Sequence, residues 1–169
     1  MFRFENGLIV EQWDNLQKND GNAVSDKNSN TMLDGPTFIS DLDKTEANKQ
    51  LVENFVKDIL VGGATATFDS YFNPDDESGS NYIQHNPGFP NGTAGVKGYL
   101  QGLEGKGESF YDKLHFVHGE GNFVLTLSEG GTTAYFDLFR VENGKIVEHW
   151  DVIQEIPPED EWKNSNGKF

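Results

Sequence analysis

The chain has no cysteine. Disulfides, thiolate nucleophiles and Cys-based zinc sites are therefore excluded. Positive charge is also scarce: 13 Lys and Arg stand against 28 Asp and Glu, a formal net charge of −15. Nucleic acid and anionic membranes need a basic surface, so neither is expected as a partner. No apolar run reaches the ~20 residues of a membrane-spanning helix, and the first ten residues read as a strand rather than an export signal. A cytoplasmic location is the default expectation. Metal and nucleotide motifs are missing too. No spacing matches H-E-x-x-H or an EF-hand loop, acidic Asp75-Asp76-Glu77 lacks the rest of a calcium ligand set, and no Gly-rich stretch links a strand to a helix. No metal or cofactor is expected.

What the chain does have is one stretch written twice. Phe2 to Gln17 reappears as Phe139 to Gln154, with eleven of sixteen positions identical. The second copy closes a domain and the first opens the chain, which reads as a tandem ancestor of which only the terminal hairpin of the first unit is kept. The expected division is residues 1–17 as that remnant hairpin, 18–42 as a linker, 43–157 as one domain and 158–169 as a tail. Asn19 to Asn30, rich in Asn, Asp, Ser and Lys, reads as a mobile linker.

Within the domain, Asp43-x-x-Glu46 offers a helix cap with a carboxylate three residues on. Behind it Ala47, Leu51, Val52, Phe55, Val56, Ile59 and Leu60 recur at helical spacing, and Gly62-Gly63 supplies the stop. A shorter helix is expected near Thr65 to Tyr71, an acidic loop over Asn73 to Asn81, an extended segment at Tyr82 to His85 and a third helix over Gly92 to Leu103. From Phe110 the period changes to two. Leu114–His118, Asn122–Glu129, Thr132–Val141 and Lys145–Gln154 read as an antiparallel meander, with Asn143-Gly144 as a type I′ turn. Helices followed by a curved antiparallel sheet make an α+β fold.

Strict alternation from the Asn143-Gly144 turn pairs Leu138 with His149 and Phe136 with Asp151. One face then carries Leu114, Phe116, His118, Phe123, Leu125, Leu127, Phe136, Leu138, His149, Asp151 and Ile153. The other carries Tyr135, Asp137, Phe139, Glu148, Trp150 and Val152. His149-x-Asp151 is the constellation with chemical content, because a carboxylate among Phe and Leu has its pKa raised towards that of a neutral-pH general base. The competing reading is a buried Asp paired for structural reasons. Tyr82-Ile83-Gln84-His85-Asn86-Pro87 is a polar segment fit to line a pocket mouth, or a surface loop. His118 stands beside a hairpin tip, and His115 falls on the opposite face.

The Tyr82–Pro87 segment, the Gly119-Glu120-Gly121-Asn122-Phe123-Val124 hairpin and Phe139 to Asp151 together resemble the SnoaL-like polyketide cyclase family, of the nuclear transport factor 2-like and ketosteroid-isomerase-like superfamily. The resemblance spans about Thr45 to Pro157. It implies a cystatin-like α+β roll, a cone of about three helices on a curved sheet enclosing a pocket. It further implies that Asp151 acts as acid/base in an aldol condensation or isomerisation without metal or cofactor, with His149 and His85 orienting or polarising a ketone. Tyr82, His118, Phe116, Phe123, Phe136 and Leu138 would line the substrate site, which would take a small apolar carbonyl compound. A ligand-binding or structural domain of the same fold is the alternative. A homodimer is expected through a sheet face bearing Tyr135, Phe139 and Trp150. One departure stands out: the first copy of the repeat has Gln12 where the domain has His149, while Asp14 matches Asp151.

Overall fold

The computed structural model describes residues 1–19, 23–76 and 81–169. The expectations for 19–30 and for the acidic loop at 73–81 therefore fall partly outside the described residues.

Two β-strands open the chain, β1 (Phe2–Glu5) and β2 (Leu8–Gln12), forming a separate hairpin. Helix α1 follows at Thr45–Phe55 and widens into a π-helical turn over Val56–Val61. Its start differs from the expected capping box. A 3₁₀ turn at Leu42–Lys44 precedes it, no side chain caps it, and Thr45 Oγ1 instead accepts the Gly121 amide. Val52, Phe55, Val56, Ile59 and Leu60 form its buried stripe, and Gly63 ends it with φ +67°. A 3₁₀ segment at Thr65–Ser70, the short β3 (Ile83–Gln84) and α2 (Ala94–Glu104) come next. Strands β4 (Lys113–Glu120), β5 (Phe123–Gly130), β6 (Thr133–Glu142) and β7 (Lys145–Glu155) complete the chain's sheet. Its order is β3-β7-β6-β5-β4, antiparallel except where β3 joins β7 in parallel.

One face of this sheet packs on α1. Phe55 makes the joint, its ring edge-on to Phe72 at 5.2 Å, Tyr71 at 5.4 Å and Phe139 at 5.9 Å. Edge-to-face aromatic packing of this kind adds about 0.5–1.5 kcal/mol per pair beyond area burial. Val124, Val141 and Ile146 fill the space around it.

The sheet register corrects the expected faces. Glu142 pairs with Lys145 as the turn requires, but the pairing then runs Val141–Ile146 and Arg140–Glu148, leaving Val147 as an extra residue on β7. This β-bulge reverses the parity of everything beyond it. His149 lies opposite Phe139 and Asp151 opposite Asp137, while Trp150 lies opposite Leu138. Phe123, Leu125, Leu127, Phe136 and Leu138 do share a face, as expected, but it is the outer one, away from α1. The anticipated aromatic interface dissolves for the same reason. Phe139 is buried against α1, and Trp150 lies on the other face under residues 34–35.

Those residues belong to a strap. The Asn-rich segment read as a mobile linker is tied down over its described part. Asn28 Nδ2 donates to the Asn86 and Phe89 carbonyls at 2.8 and 2.9 Å, and Asn30 Nδ2 donates to the Gln84 carbonyl at 2.9 Å. Further along, the Trp150 indole donates to the Asp34 carbonyl at 2.8 Å. Gly35 crosses the indole with φ +119°, where an added Cβ would stand 2.5 Å from Cζ2 of Trp150. Only glycine fits that crossing.

Candidate active site

Between α1, α2 and the inner face of the sheet lies a cavity lined by Phe55, Leu60, Tyr82, Gln84, Phe89, Val96, Tyr99, Leu100, Phe110, Tyr111, Asp137, Phe139, His149 and Asp151. The space open to the centre of a water molecule is about 50 Å³, room for a few waters. Phe89, Tyr99 and Phe110 stand at its rim, with Tyr99 exposed and edge-on to the other two.

The polar groups are concentrated on β6, β7 and β3. The bulge at Val147 is what turns His149 and Asp151 inward, beside Asp137. The His149 ring meets an acceptor on each side. Nδ1 lies 2.9 Å from Gln84 Oε1, and Nε2 lies 3.1 Å from Asp137 Oδ1. Gln84 Oε1 also accepts the Asn86 amide, which fixes that oxygen as the acceptor. With two acceptors, the ring is held as imidazolium. Burial alone would lower its pKa, but the hydrogen bond to Asp137 and the charges of Asp151 and Asp137 outweigh burial and raise it. Tyr111 donates to both oxygens of Asp137, at 3.0 and 2.9 Å. Its phenol is buried beside that carboxylate, so it stays protonated.

Asp151 is held differently. Oδ2 accepts from Asn86 Nδ2 at 2.5 Å, while Oδ1 is buried with no hydrogen-bond partner among the described residues. Burial raises the pKa of this carboxyl. The imidazolium of His149 opposes that rise, Asp137 adds to it, and Asn86 opposes it, with a net upward direction. Tyr82 completes the group. Its hydroxyl accepts from Gln84 Nε2 at 3.3 Å, leaving its own proton available, and burial followed by the Asp151 charge keeps that proton in place.

Of the residues expected at the site, Asp151, His149 and Tyr82 line the cavity together. The others do not. His85 lies on the outer side, stacked on Trp150 at 4.6 Å and 9°. Its Nε2 meets Glu148 Oε1 at 2.8 Å, and Nδ1 meets the Thr31 carbonyl at 2.8 Å and Asp34 Oδ1 at 2.9 Å. Burial would lower its pKa, yet the Glu148 hydrogen bond prevails and raises it. Glu148, buried, takes Arg140 Nε at 2.6 Å on its other oxygen. This is a fastening between strap and sheet. Phe123, Phe136 and Leu138 line an outer groove beneath residues 32–37, and Phe116 packs on Trp13 at 5.5 Å. His118 is exposed on β4 beside Phe116. All of these sit across the sheet from Asp151.

Asp137 and Tyr111 are site residues that the sequence reading did not assign, while Gln84 and Asn86 entered it only as members of the Tyr82–Pro87 segment, without a role of their own. Asp137 carried a usable signal, being the one charge between Tyr135 and Phe139 on an alternating strand. Asp137, His149 and Asp151 also bring three potential metal-ligand atoms within 4.8 Å of one another. A cation there would have to break the His149–Asp137 hydrogen bond.

No family model matches the sequence, and no curated relative does. Solved structures do match. A candidate ketosteroid isomerase from Kribbella flavida DSM 17836 is 16% identical, with 74% of this chain and 94% of that chain covered, at a TM-score of 0.52. A protein of unknown function with a cystatin-like fold from Xanthomonas campestris is 22% identical, with 64% and 91% covered, at 0.50. These likenesses show the fold: the chain has a cystatin-like α+β fold.

Proposed function

We propose that this protein is a cofactor-independent acid/base enzyme that moves a proton α to the carbonyl of a small apolar compound, as in an isomerisation or an intramolecular aldol condensation. The observation that carries this reading is the Asp151 carboxyl. One oxygen is anchored by Asn86 and the other is bare, in an apolar cavity that raises its pKa. A buried acid of this kind is costly unless it has a task. Asp151 Oδ1 takes the α-proton as general base, and Tyr82, protonated and with its proton free, donates to the carbonyl oxygen as charge develops there. His149 has both ring nitrogens engaged, so it serves as a fixed positive charge that keeps Asp151 ionisable rather than as a donor to substrate. General base catalysis from one such group contributes about 10²–10⁴ in rate.

The test is deuterium incorporation at the α-carbon of a panel of small apolar ketones and aldehydes in D₂O, followed by NMR. Exchange by wild type that disappears in Asp151→Asn and weakens in Tyr82→Phe is the expected result. Absence of exchange across the panel, with Asp151 titrating at or below about 4, would instead leave a ligand-binding module.

A further inference from the structure

Asp137, only 1% exposed, has no task in the proton transfer proposed for Asp151. It stands with His149 and Asp151 on neighbouring positions of the inner face of β6 and β7, paired directly to Asp151. One atom from each of the three lies within 4.8 Å of the others. No metal spacing shows in the sequence here, because the H-x-D pair on β7 is completed by a residue that only the register brings from β6. Each of the three is also held from behind by a residue outside the set. Gln84 Oε1 lies 2.9 Å from His149 Nδ1 and is fixed as an acceptor, so Nδ1 carries hydrogen and Nε2 is the atom left to face Asp137. The Tyr111 hydroxyl donates to both oxygens of Asp137 at 3.0 and 2.9 Å, and Asn86 Nδ2 donates to Asp151 Oδ2. Outer partners of this kind, one for every ligand, are what orient the ligands of a metal.

We propose that Asp137, His149 and Asp151 bind one divalent transition-metal ion of the zinc class, in competition with the proton-transfer role of Asp151. Beside the clustering stands a second observation, the state of Asp151. The residue lines the cavity at 9% exposure, and its Oδ1 is buried with no hydrogen-bond partner among the described residues. Charge points the same way. Two carboxylates and a neutral imidazole carry two negative charges, which one divalent ion cancels inside a buried site. The exchange balances. The ion takes the lone pair of His149 Nε2 as the proton on that nitrogen leaves to solvent, and the His149–Asp137 hydrogen bond gives way to bonds from both residues to the ion. One imidazole nitrogen and two carboxylate oxygens suit Zn²⁺ bound at about 2.0–2.2 Å, with water in the open position. Mg²⁺, which keeps its waters and demands octahedral geometry, does not suit a cavity walled by aromatic side chains. The chain's net charge of −15 draws cations towards it. An ion here takes the oxygen that the base would use, so the metal-bound and proton-transferring forms exclude each other. That last consequence rests on the acid/base reading, whereas the binding does not.

Isothermal titration of the chelator-stripped full chain with Zn²⁺ tests the site, with Co²⁺ as a paramagnetic probe of its position by NMR. The expected result is one ion in the cavity, Co²⁺ effects centred on residues 137, 149 and 151, and no saturable heat with Mg²⁺. Asp137→Asn and Asp151→Asn abolish this binding, and Asn86→Ala, which removes only an outer partner, weakens it about 10–100-fold. His115→Gln leaves it unchanged, which separates the cavity from the pair of His115 and Glu129 on β4 and β5, 3.3 Å apart. Should a carboxylate variant fail to fold, the Co²⁺ map of the wild type decides alone. No Zn²⁺ binding, binding indifferent to the Asp variants, Mg²⁺ bound as tightly as Zn²⁺, or Co²⁺ effects centred on His115 overturns the proposal. The acid/base reading fails separately. Exchange of α-protons by a chain that binds no Zn²⁺ removes only the metal site, and Zn²⁺ binding without exchange removes only the base. Exchange that continues undiminished with the site filled overturns the competition.

Discussion

Replacing Asp151 by Asn is expected to stabilise the fold while removing proton transfer. In the native state the carboxyl is 9% exposed and one oxygen has no partner. A buried polar atom left unsatisfied costs about 1–3 kcal/mol, more when charged. Asparagine keeps the acceptor that Asn86 uses and puts an equally unpartnered Nδ2 where Oδ1 stood, so what it removes is the charge, the excess of the charged over the neutral penalty. The gain is reduced because the His149 imidazolium loses a neighbouring anion, so the lower part of that range applies, about 1 kcal/mol. For a chain of this size that corresponds to a rise of about 2–4 °C in melting temperature. The sign with pH follows from the raised native pKa. The unfolded carboxyl loses its proton near 3.8, the folded one at a higher pH, so between the two the native state binds more protons and stability falls as pH rises. Above the folded pKa the penalty is complete; below 3.8 it is absent.

Urea denaturation of both proteins, followed by circular dichroism at neutral pH and again near pH 3, separates the cases. The variant should be more stable at neutral pH, with the difference closing in acid. An Asn variant that is less stable at neutral pH would mean that the carboxylate is a net structural partner of His149, and the argument for a poised base would fail. A gain that does not change with pH would refute the electrostatic origin. The reading does not depend on knowing the substrate, since the cost of the buried acid appears in stability whether or not turnover is observed.

Two further outcomes test the strap. Gly35→Ala should cost more than the ~1 kcal/mol typical of alanine at a positive-φ glycine, because its Cβ meets Trp150 at 2.5 Å. Faster amide exchange in residues 31–37 and a shift in Trp150 fluorescence would register it, and a variant as stable as wild type would contradict the crossing. His85 has a raised native pKa from its contact with Glu148, so its contribution to stability is full below 6.5 and lost as pH climbs through the folded pKa. His85→Gln should flatten the melting-temperature profile across that window, and an unchanged profile would remove His85 from the fastening.

The elements were legible because their signals are local. The period-two stretches after Phe110 became β4 to β7 with ends within a few residues, and the apolar stripe from Ala47 to Leu60 became α1 and its π-helical turn. Faces were legible wherever alternation ran unbroken, so Phe123, Leu125, Leu127, Phe136 and Leu138 were grouped correctly. Composition was a poorer guide to the strap. A run of Asn reads as solvated, yet Asn28 and Asn30 spend their amides on backbone carbonyls of residues 84–89, which no local pattern announces.

The site turned on a single residue. Val147 adds one step to β7, and that step decides whether His149 and Asp151 face the helices or the outside. The trace of it is in the sequence, as two consecutive β-branched residues, Ile146-Val147, where alternation wants one apolar and one polar. The same pair, Ile9-Val10, recurs in the N-terminal copy, and the same bulge forms there although no helix covers it. The bulge is therefore a property of the hairpin's own sequence and not something imposed by packing. The inward turn of Asp151 follows from local chain geometry, and the cavity is closed around it by residues as distant as Tyr82 and Asn86. A variant that deletes Val147 would put Trp150 inside and Asp151 outside. The acid/base reading rests on the register, before any pKa is considered.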